Sequence, residues 1–207
     1  MNEYKIRFNL KSNLHIGSGF SFMRLIDKTT VKDRDGCVFI PGSTIKGKLR
    51  SVCKKICLSL DGEFGAICQG KDSLMICKTS LDNACIICRL FGSAYNEGKL
   101  IFHDAFLLPD DREMITIMKS IDPFIYIQSE YRSRNKISRY LRTSSPKQLY
   151  TSESCPSKLV FEGKMCSGFD LTKDEKQLLC WGAKSILHLG GQKGQGLGRL
   201  TLSIEGI

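Results

Sequence analysis

The residues of this chain with the types and spacing to do chemistry begin with Ile40-Pro41-Gly42-Ser43-Thr44-Ile45-Lys46-Gly47-Lys48-Leu49-Arg50. Proline and glycine turn the chain sharply, and the hydroxyl of Ser43 or Thr44 is expected to cap the helix that follows. The first helical N–H groups, the positive end of the dipole and the cations Lys46, Lys48 and Arg50 would together suit a phosphate. The plain alternative is a capped helix with a solvated lysine face. A second group lies at Leu189–Arg199, where five glycines fall between positions 190 and 198, beside Lys193 and Arg199. Such a loop admits a ligand close to its backbone, and N–H groups such as those of Gly191 and Gly194 would form an anion nest. It is no dinucleotide fingerprint, because the order is helix, loop, strand. A flexible linker is the other reading.

Cys68, Cys77, Cys85 and Cys88 are spaced C-x8-C-x7-C-x2-C. Paired thiolates suit tetrahedral zinc, and the surrounding stretch has little apolar periodicity, so a metal would supply folding energy that packing cannot. Buried structural thiols are the alternative, and Cys53 or Cys57 could stand in for Cys68. Between Ile125 and Tyr150, Arg132, Arg134, Lys136, Arg139, Arg142 and Lys147 alternate with Tyr126, Tyr131, Tyr140 and Tyr150. Cations neutralise phosphates and tyrosines stack on bases, as single-strand binding requires, although a solvated basic loop has the same composition. Asp27, in the loop Leu25–Asp33, reads by itself as a charge partner of nearby lysines. His15 reads by itself as a packed turn histidine, and His103 and His188 as core.

The elements that must position these groups follow from periodicity. Tyr4, Ile6, Phe8 and Leu10 alternate with polar residues and predict a strand, and Cys37–Ile40 predicts a short one. Ile45, Leu49, Val52, Cys53 and Ile56 form the core stripe of a helix whose other face carries Lys46, Arg50 and Lys54. Residues 99–108 predict one strand and 159–165 another. Thr172-Lys173-Asp174-Glu175 is a capping box opening a helix, and Leu200, Leu202 and Ile204 predict the closing strand. Two strand–helix–strand passes predict an α+β, ferredoxin-like fold with an antiparallel sheet.

The chain has 207 residues, 42% of them apolar, a net charge of +10 and ten cysteines. It contains no apolar run long enough for a membrane span and opens without a signal-peptide core, which predicts a cytoplasmic protein with reduced or metal-bound thiols. The charge favours a polyanionic partner, nucleic acid over membrane. No catalytic triad, metalloprotease helix or Walker loop is present.

His15-Ile16-Gly17, the Ile40–Arg50 motif, Cys85-x-x-Cys88-Arg89-Leu90-Phe91-Gly92-Ser93 and the terminal glycine loop resemble, in that order, the RAMP superfamily. The similarity runs from residue 4 to about 204. Within the superfamily they look most like the backbone subunit of type III CRISPR effector complexes. The resemblance implies a modified RRM-like fold with helices on one face of the sheet. A single domain would span 1–207, with a zinc-type insertion at about 61–98 and a basic thumb hairpin at about 125–157. It implies copies stacked along a crRNA, a complementary target RNA, and other effector subunits including a large polymerase-like one. RNA contacts would fall to His15, Ser43, Lys46, Lys48, Arg50, Arg132, Arg139, Gly191, Lys193, Gly194 and Arg199.

The resemblance further implies that Asp27, which follows an isoleucine, cuts target RNA at regular intervals with Mg2+ or another divalent cation. Asp33 stands where a later acidic residue is frequent, and Thr29 departs from a frequent proline. A precursor-crRNA processing endonuclease and a purely structural RAMP subunit are the rival readings.

Overall fold

The alternation at the N-terminus places Tyr4, Ile6 and Phe8 on one buried face of β1 (Asn2–Leu10). The computed structural model describes residues 2–22, 25–60, 62–68, 77, 83–122 and 128–207. β1 is central in a five-stranded antiparallel sheet, between β6 (Val160–Ser167) and β7 (Leu200–Glu205). The register sets Phe8 opposite Phe161 and Leu202, and Tyr4 opposite Met165, so apolar side chains stack across all three strands. The opposite face is polar, with Lys5 and Glu162 paired at 2.7 Å.

The outer edge of β6 pairs with β2 (Leu100–Phe102) and then β3 (Phe106–Leu107), where the sequence predicts one strand over 99–108. The break at His103 and Asp104 has a structural use. Asp104 turns away from the sheet and accepts the Gly42 N–H at 2.7 Å. At this edge Gly163 is required by packing, since a Cβ there would lie 2.8 Å from the Cβ of Ala105. Cys37–Ile40 forms isolated bridges, Val38 to Lys32 and Ile40 to Ala105, in place of the expected strand.

Helices α1 (Gly42–Ser59) and α4 (Lys173–Lys184) cover the apolar face. Ile45, Leu49, Cys53 and Cys57 are the buried stripe of α1. Gly182 lets the two helices close on each other, because a Cβ there would lie 2.6 Å from Cys53 Sγ. The Thr172–Glu175 capping box forms as expected. α2 (Ile86–Phe91) gives the cysteine-rich stretch a buried helical turn. An unanticipated helix, α3 (Pro109–Ile121), begins with proline at its start and Asp110 and Asp111 in its first turn, which are ordinary start signals.

The basic segment folds as a two-stranded hairpin, β4 (Glu130–Ile137) with β5 (Ser144–Ser154), separate from the main sheet. Tyr126 lies outside the described residues. His103 is exposed and His188 half-buried, so neither is the core histidine expected from its apolar neighbours. No described helix is long and apolar enough to cross a membrane.

Candidate nucleic-acid interface

The N-terminus of α1 differs from expectation. Pro41 is the N-cap, and no side chain of Ser43 or Thr44 caps the helix. The Asp104 carboxylate takes the Gly42 N–H, so a negative charge already sits where a phosphate was expected.

A cationic groove lies further along the helix. Thr44, Lys48, Ser51 and Lys55 form one face of α1, and together with Ser43 and Gly47 they line a groove of about 580 Å³ closed by Gly17, Gly190, Gly191 and Lys193. Among the described residues, no acidic side chain lines it. Partial burial lowers the pKa of Lys48, and the charges of Lys193 and Lys55 lower it further. Three ammonium groups held together repel one another until an anion arrives. Gly47 adds to this picture. A glycine inside a helix costs about 1 kcal/mol relative to alanine, yet a Cβ at Gly47 would meet nothing within 4 Å. Protein packing does not require that bare backbone. Lys46 lines a different groove, with Ser93, Tyr95 and Phe102. Lys55 went unnoticed in the sequence, although it lies seven residues beyond Lys48 on the same face.

The glycine loop is built differently from an open anion nest. Gly191 donates its N–H to the His15 carbonyl at 2.8 Å, and Gly198 to the Asn13 carbonyl at 2.7 Å. Gln195 and Gly196 donate within the loop. Gly190 has φ +78°, and a Cβ there would lie 2.3 Å from the His15 carbonyl oxygen, so this glycine serves close packing. Gly194 has open space around it. Lys193, Gly194 and Arg199 are exposed.

His15 is buried, and its Nδ1 lies 2.6 Å from the Glu153 carbonyl oxygen. It therefore ties the glycine loop to the base of the hairpin. Arg134 adds a second tie, donating to Gln192 Oε1 at 2.8 Å. Arg132 and Arg139 are exposed on the hairpin, with Arg132 3.5 Å from Glu130.

The loop carrying Asp27 runs beside β5. Asp27 N–H donates to the Thr151 carbonyl at 2.9 Å, and Thr151 N–H donates to Asp27 Oδ2 at 2.7 Å. The carboxylate is thus oriented and exposed, and its Oδ1 has no partner among the described residues. Lys28 lies over the Tyr150 ring at 5.3 Å. Asp33 does other work: its Oδ1 accepts from Asp35 and Cys37 N–H groups, and Arg112 pairs with Oδ2 at 2.9 Å. Glu153 holds the whole loop. Its buried carboxylate accepts from Thr30 N–H at 2.9 Å, Lys32 Nζ at 2.6 Å and Ser129 Oγ. Burial pushes the Glu153 pKa up, but Lys32, Ser129 and Thr30 outweigh it and hold the group below the usual range. No local pattern in the sequence marks Glu153.

The ligand atoms of Cys68, Cys77, Cys85 and Cys88 all lie within 4.8 Å of one another. Cys68 Sγ is 3.3 Å from Cys88 Sγ and 3.7 Å from Cys85 Sγ. Tetrahedral thiolates at a Zn–S distance of about 2.3 Å stand about 3.8 Å apart, so the donor set fits a structural metal. Burial pushes the Cys85 thiol up, but hydrogen bonds with the neighbouring sulfurs and backbone bring it down to about 7. Cys53 instead sits buried with its Sγ 3.7 Å from the Leu178 carbonyl.

The motif that follows these cysteines is structural. Arg89 and Lys99 both pair with the buried Glu175 of α4, at 2.8 and 3.0 Å, while Leu90 and Phe91 enter the core. Gly92, at φ +85°, lies against the Gly98 backbone, where a Cβ would sit 2.8 Å from the Gly98 nitrogen.

A family model described as "RAMPs: RAMP superfamily" matches residues 7–201. The chain is 25% identical to "CRISPR system Cms endoribonuclease Csm3" of Streptococcus thermophilus, over 96% of this chain and 86% of that protein. It is 26% identical to a protein of the same name from Methanocaldococcus jannaschii, over 50% of this chain and 41% of that one.

Proposed function

The chain belongs to the RAMP superfamily, and from that premise we propose that it is the repeated backbone subunit of a type III CRISPR interference complex, holding crRNA and cutting complementary target RNA. Both similar proteins are named endoribonucleases of a CRISPR system. The observation that carries RNA binding is the groove where Lys48, Lys55 and Lys193 converge with no acidic side chain among the described lining residues. It would take consecutive phosphates and read no base, so any guide sequence is accepted. The bare backbone at Gly47 leaves room for a sugar-phosphate chain against the helix. The β4–β5 hairpin, tied to the glycine loop through Arg134, serves as the thumb over the bound strands.

Asp27 is the cutting residue in this reading. Its free oxygen takes the proton from a ribose 2′-hydroxyl, and the 2′-oxygen attacks the adjacent phosphorus. The bond to the 5′-oxygen breaks, water protonates that oxygen, and the products are a 2′,3′-cyclic phosphate and a 5′-hydroxyl. One carboxylate suffices for Mg2+, which keeps several waters and takes other ligands from substrate phosphates. When bound, such a cation would neutralise charge gathering on the phosphate. The thiol cluster would hold zinc as a structural ion. Copies stacked along the guide and a large polymerase-like subunit complete the proposed assembly.

Replacing Lys48 and Lys193 together by alanine tests the groove. In titrations of two unrelated single-stranded RNAs against salt, the slope of log K on log salt should shrink by about 1.4, near 0.7 for each phosphate no longer neutralised. An unchanged slope, or affinity that follows sequence, refutes the assignment. For the cysteines, the purified chain should contain one zinc, and Cys88→Ser should lose it and expose residues 83–98 to protease. A metal-free, protease-resistant wild type would refute a zinc site.

A further inference from the structure

Gln192 carries two irregularities at once. Its backbone lies at φ 55° and ψ 30°, in the left-handed region. That conformation strains any residue with a Cβ and costs glycine nothing. Arg142 is the other described non-glycine residue with positive φ, and it lies in the connection between β4 and β5, where turns ask for it. Gln192 instead stands among Gly190, Gly191, Gly194, Gly196 and Gly198, at a position that a sixth glycine would suit. Its side chain makes one hydrogen bond among the described residues, accepting from Arg134 Nη1 at Oε1 over 2.8 Å. Its Nε2 is buried and has no partner among them. Backbone strain and an unanswered donor persist at one residue where the contact itself is needed.

The contact joins two sites that the proposed reaction uses. On one side, Lys193 follows Gln192 directly and closes the cationic groove opposite Lys48 and Lys55. Gly191 precedes it and is fixed by its N–H to the His15 carbonyl. On the other side, β4 and β5 pair so that Arg134 faces Tyr150 and Ser133 faces Thr151. Thr151 is the residue whose N–H and carbonyl both hold Asp27, and Lys28 lies over Tyr150. A shift of Lys193 toward a phosphate therefore reaches the Asp27 carboxylate through one side chain and one pair of strands.

We propose that Gln192 is a positioning residue for Asp27, a role that rests on the RNA-cutting function proposed above. It passes occupancy of the groove by guide RNA to the hairpin, so that the carboxylate is set for cutting once a guide is bound. Gln192 does not itself line the groove, so it adds no phosphate contact. Nor is it needed to hold the hairpin in place, because Leu14 with Cys155 and His15 with Glu153 fasten the base. With Nε2 unpaired, the grip on Arg134 is a single bond that groove occupancy can strengthen or release. Such coupling would keep a chain with no guide from cutting the RNA it meets.

The test uses the chain assembled on a guide, with cutting measured in a single turnover at saturating complementary RNA. Gln192→Gly keeps the backbone conformation and removes the contact. Its rate should fall about tenfold, the loss of one hydrogen bond, while the dissociation constants for guide and target and the salt slope stay unchanged. Gln192→Glu, whose carboxylate also accepts from Arg134, should restore the rate. Arg134→Ala should slow cutting equally, and combining it with Gln192→Gly should slow it no further, because the two act as one contact. Hydrogen exchange at the Asp27 and Thr151 amides should slow when single-stranded RNA fills the groove of the wild type, and not in Gln192→Gly, which binds it equally. Should glycine unfold the loop, Gln192→Asn, which tolerates the left-handed region but is too short, should show the same loss. Wild-type cutting by Gln192→Gly, additive losses in the double variant, equal slowing of exchange in both chains, or a loss that appears as weaker RNA binding overturns the coupling and leaves the cutting function standing. A wild-type assembly that cuts nothing overturns the function beneath it.

Discussion

Asp27→Ala is expected to lower the rate of target-RNA cutting by about 10²–10⁴-fold, the usual contribution of a positioned proton acceptor. Guide and target binding should be unchanged, because Asp27 is exposed and does not line the cationic groove. The structure also suggests a sharper variant. Asp27 Oδ2 accepts the Thr151 N–H, so alanine removes both a base and a loop tether. Asp27→Asn keeps an oxygen for Thr151 and loses basicity. If Asp27→Asn cuts like wild type, the carboxylate only positions the loop, and the chemistry lies elsewhere. If both variants are equally inactive while RNA stays bound, the proton-acceptor role stands. Gel analysis of end-labelled target, with detection of the cyclic phosphate end, reads the outcome directly.

Glu175→Ala should be the most damaging single change to stability. The side chain is fully buried, and it answers both Arg89 and Lys99 while closing the capping box of α4. Removing one member of such a buried cluster costs about 3–5 kcal/mol, because the cations left behind have no counter-charge. Loss of the cap adds about 1 kcal/mol. Urea unfolding should show this as a lower midpoint, and a change below about 1 kcal/mol would refute a structural role for the cluster. Arg89 follows Cys88 directly, so the same change should loosen the thiol cluster.

The pH dependence has a definite sign. Burial pushes Glu175 up, but the Thr172 N–H, Lys99 and Arg89 outweigh it and leave its pKa below the ordinary 4.5. Glu153 is lowered likewise. Groups lowered on folding bind fewer protons folded than unfolded, so their stabilisation is fully present above about pH 4.5 and fades as pH falls through the folded-state values. Thermal midpoints should therefore drop on acidification below that range, and less steeply in Glu175→Gln.

Local pattern was legible in the chain, and distant pairing was not. Period-two alternation marked β1 and β7, a 3.6-residue stripe marked α1, and Thr172 with Glu175 marked the start of α4, since each depends on neighbours in sequence. The family and its fold were legible for a related reason, because four short motifs kept their order. The cysteine spacing likewise anticipated four sulfurs meeting.

Tertiary structure decided what each motif is for. Asp104, 62 positions away, replaced Ser43 and Thr44 at the head of α1. Of the glycines read as an anion nest, Gly190 and Gly191 pack against His15 and Gly198 donates its N–H to Asn13, while Lys48, Lys55 and Lys193 make the groove. His15 and Glu153, 138 positions apart, join the glycine loop to the hairpin base and the Asp27 loop. A sequence records which side chains exist and how nearby ones repeat along the chain. Burial, ion pairing and the convergence of charges are set by contacts between residues far apart in it, and those appear only when the sheet and its helices close.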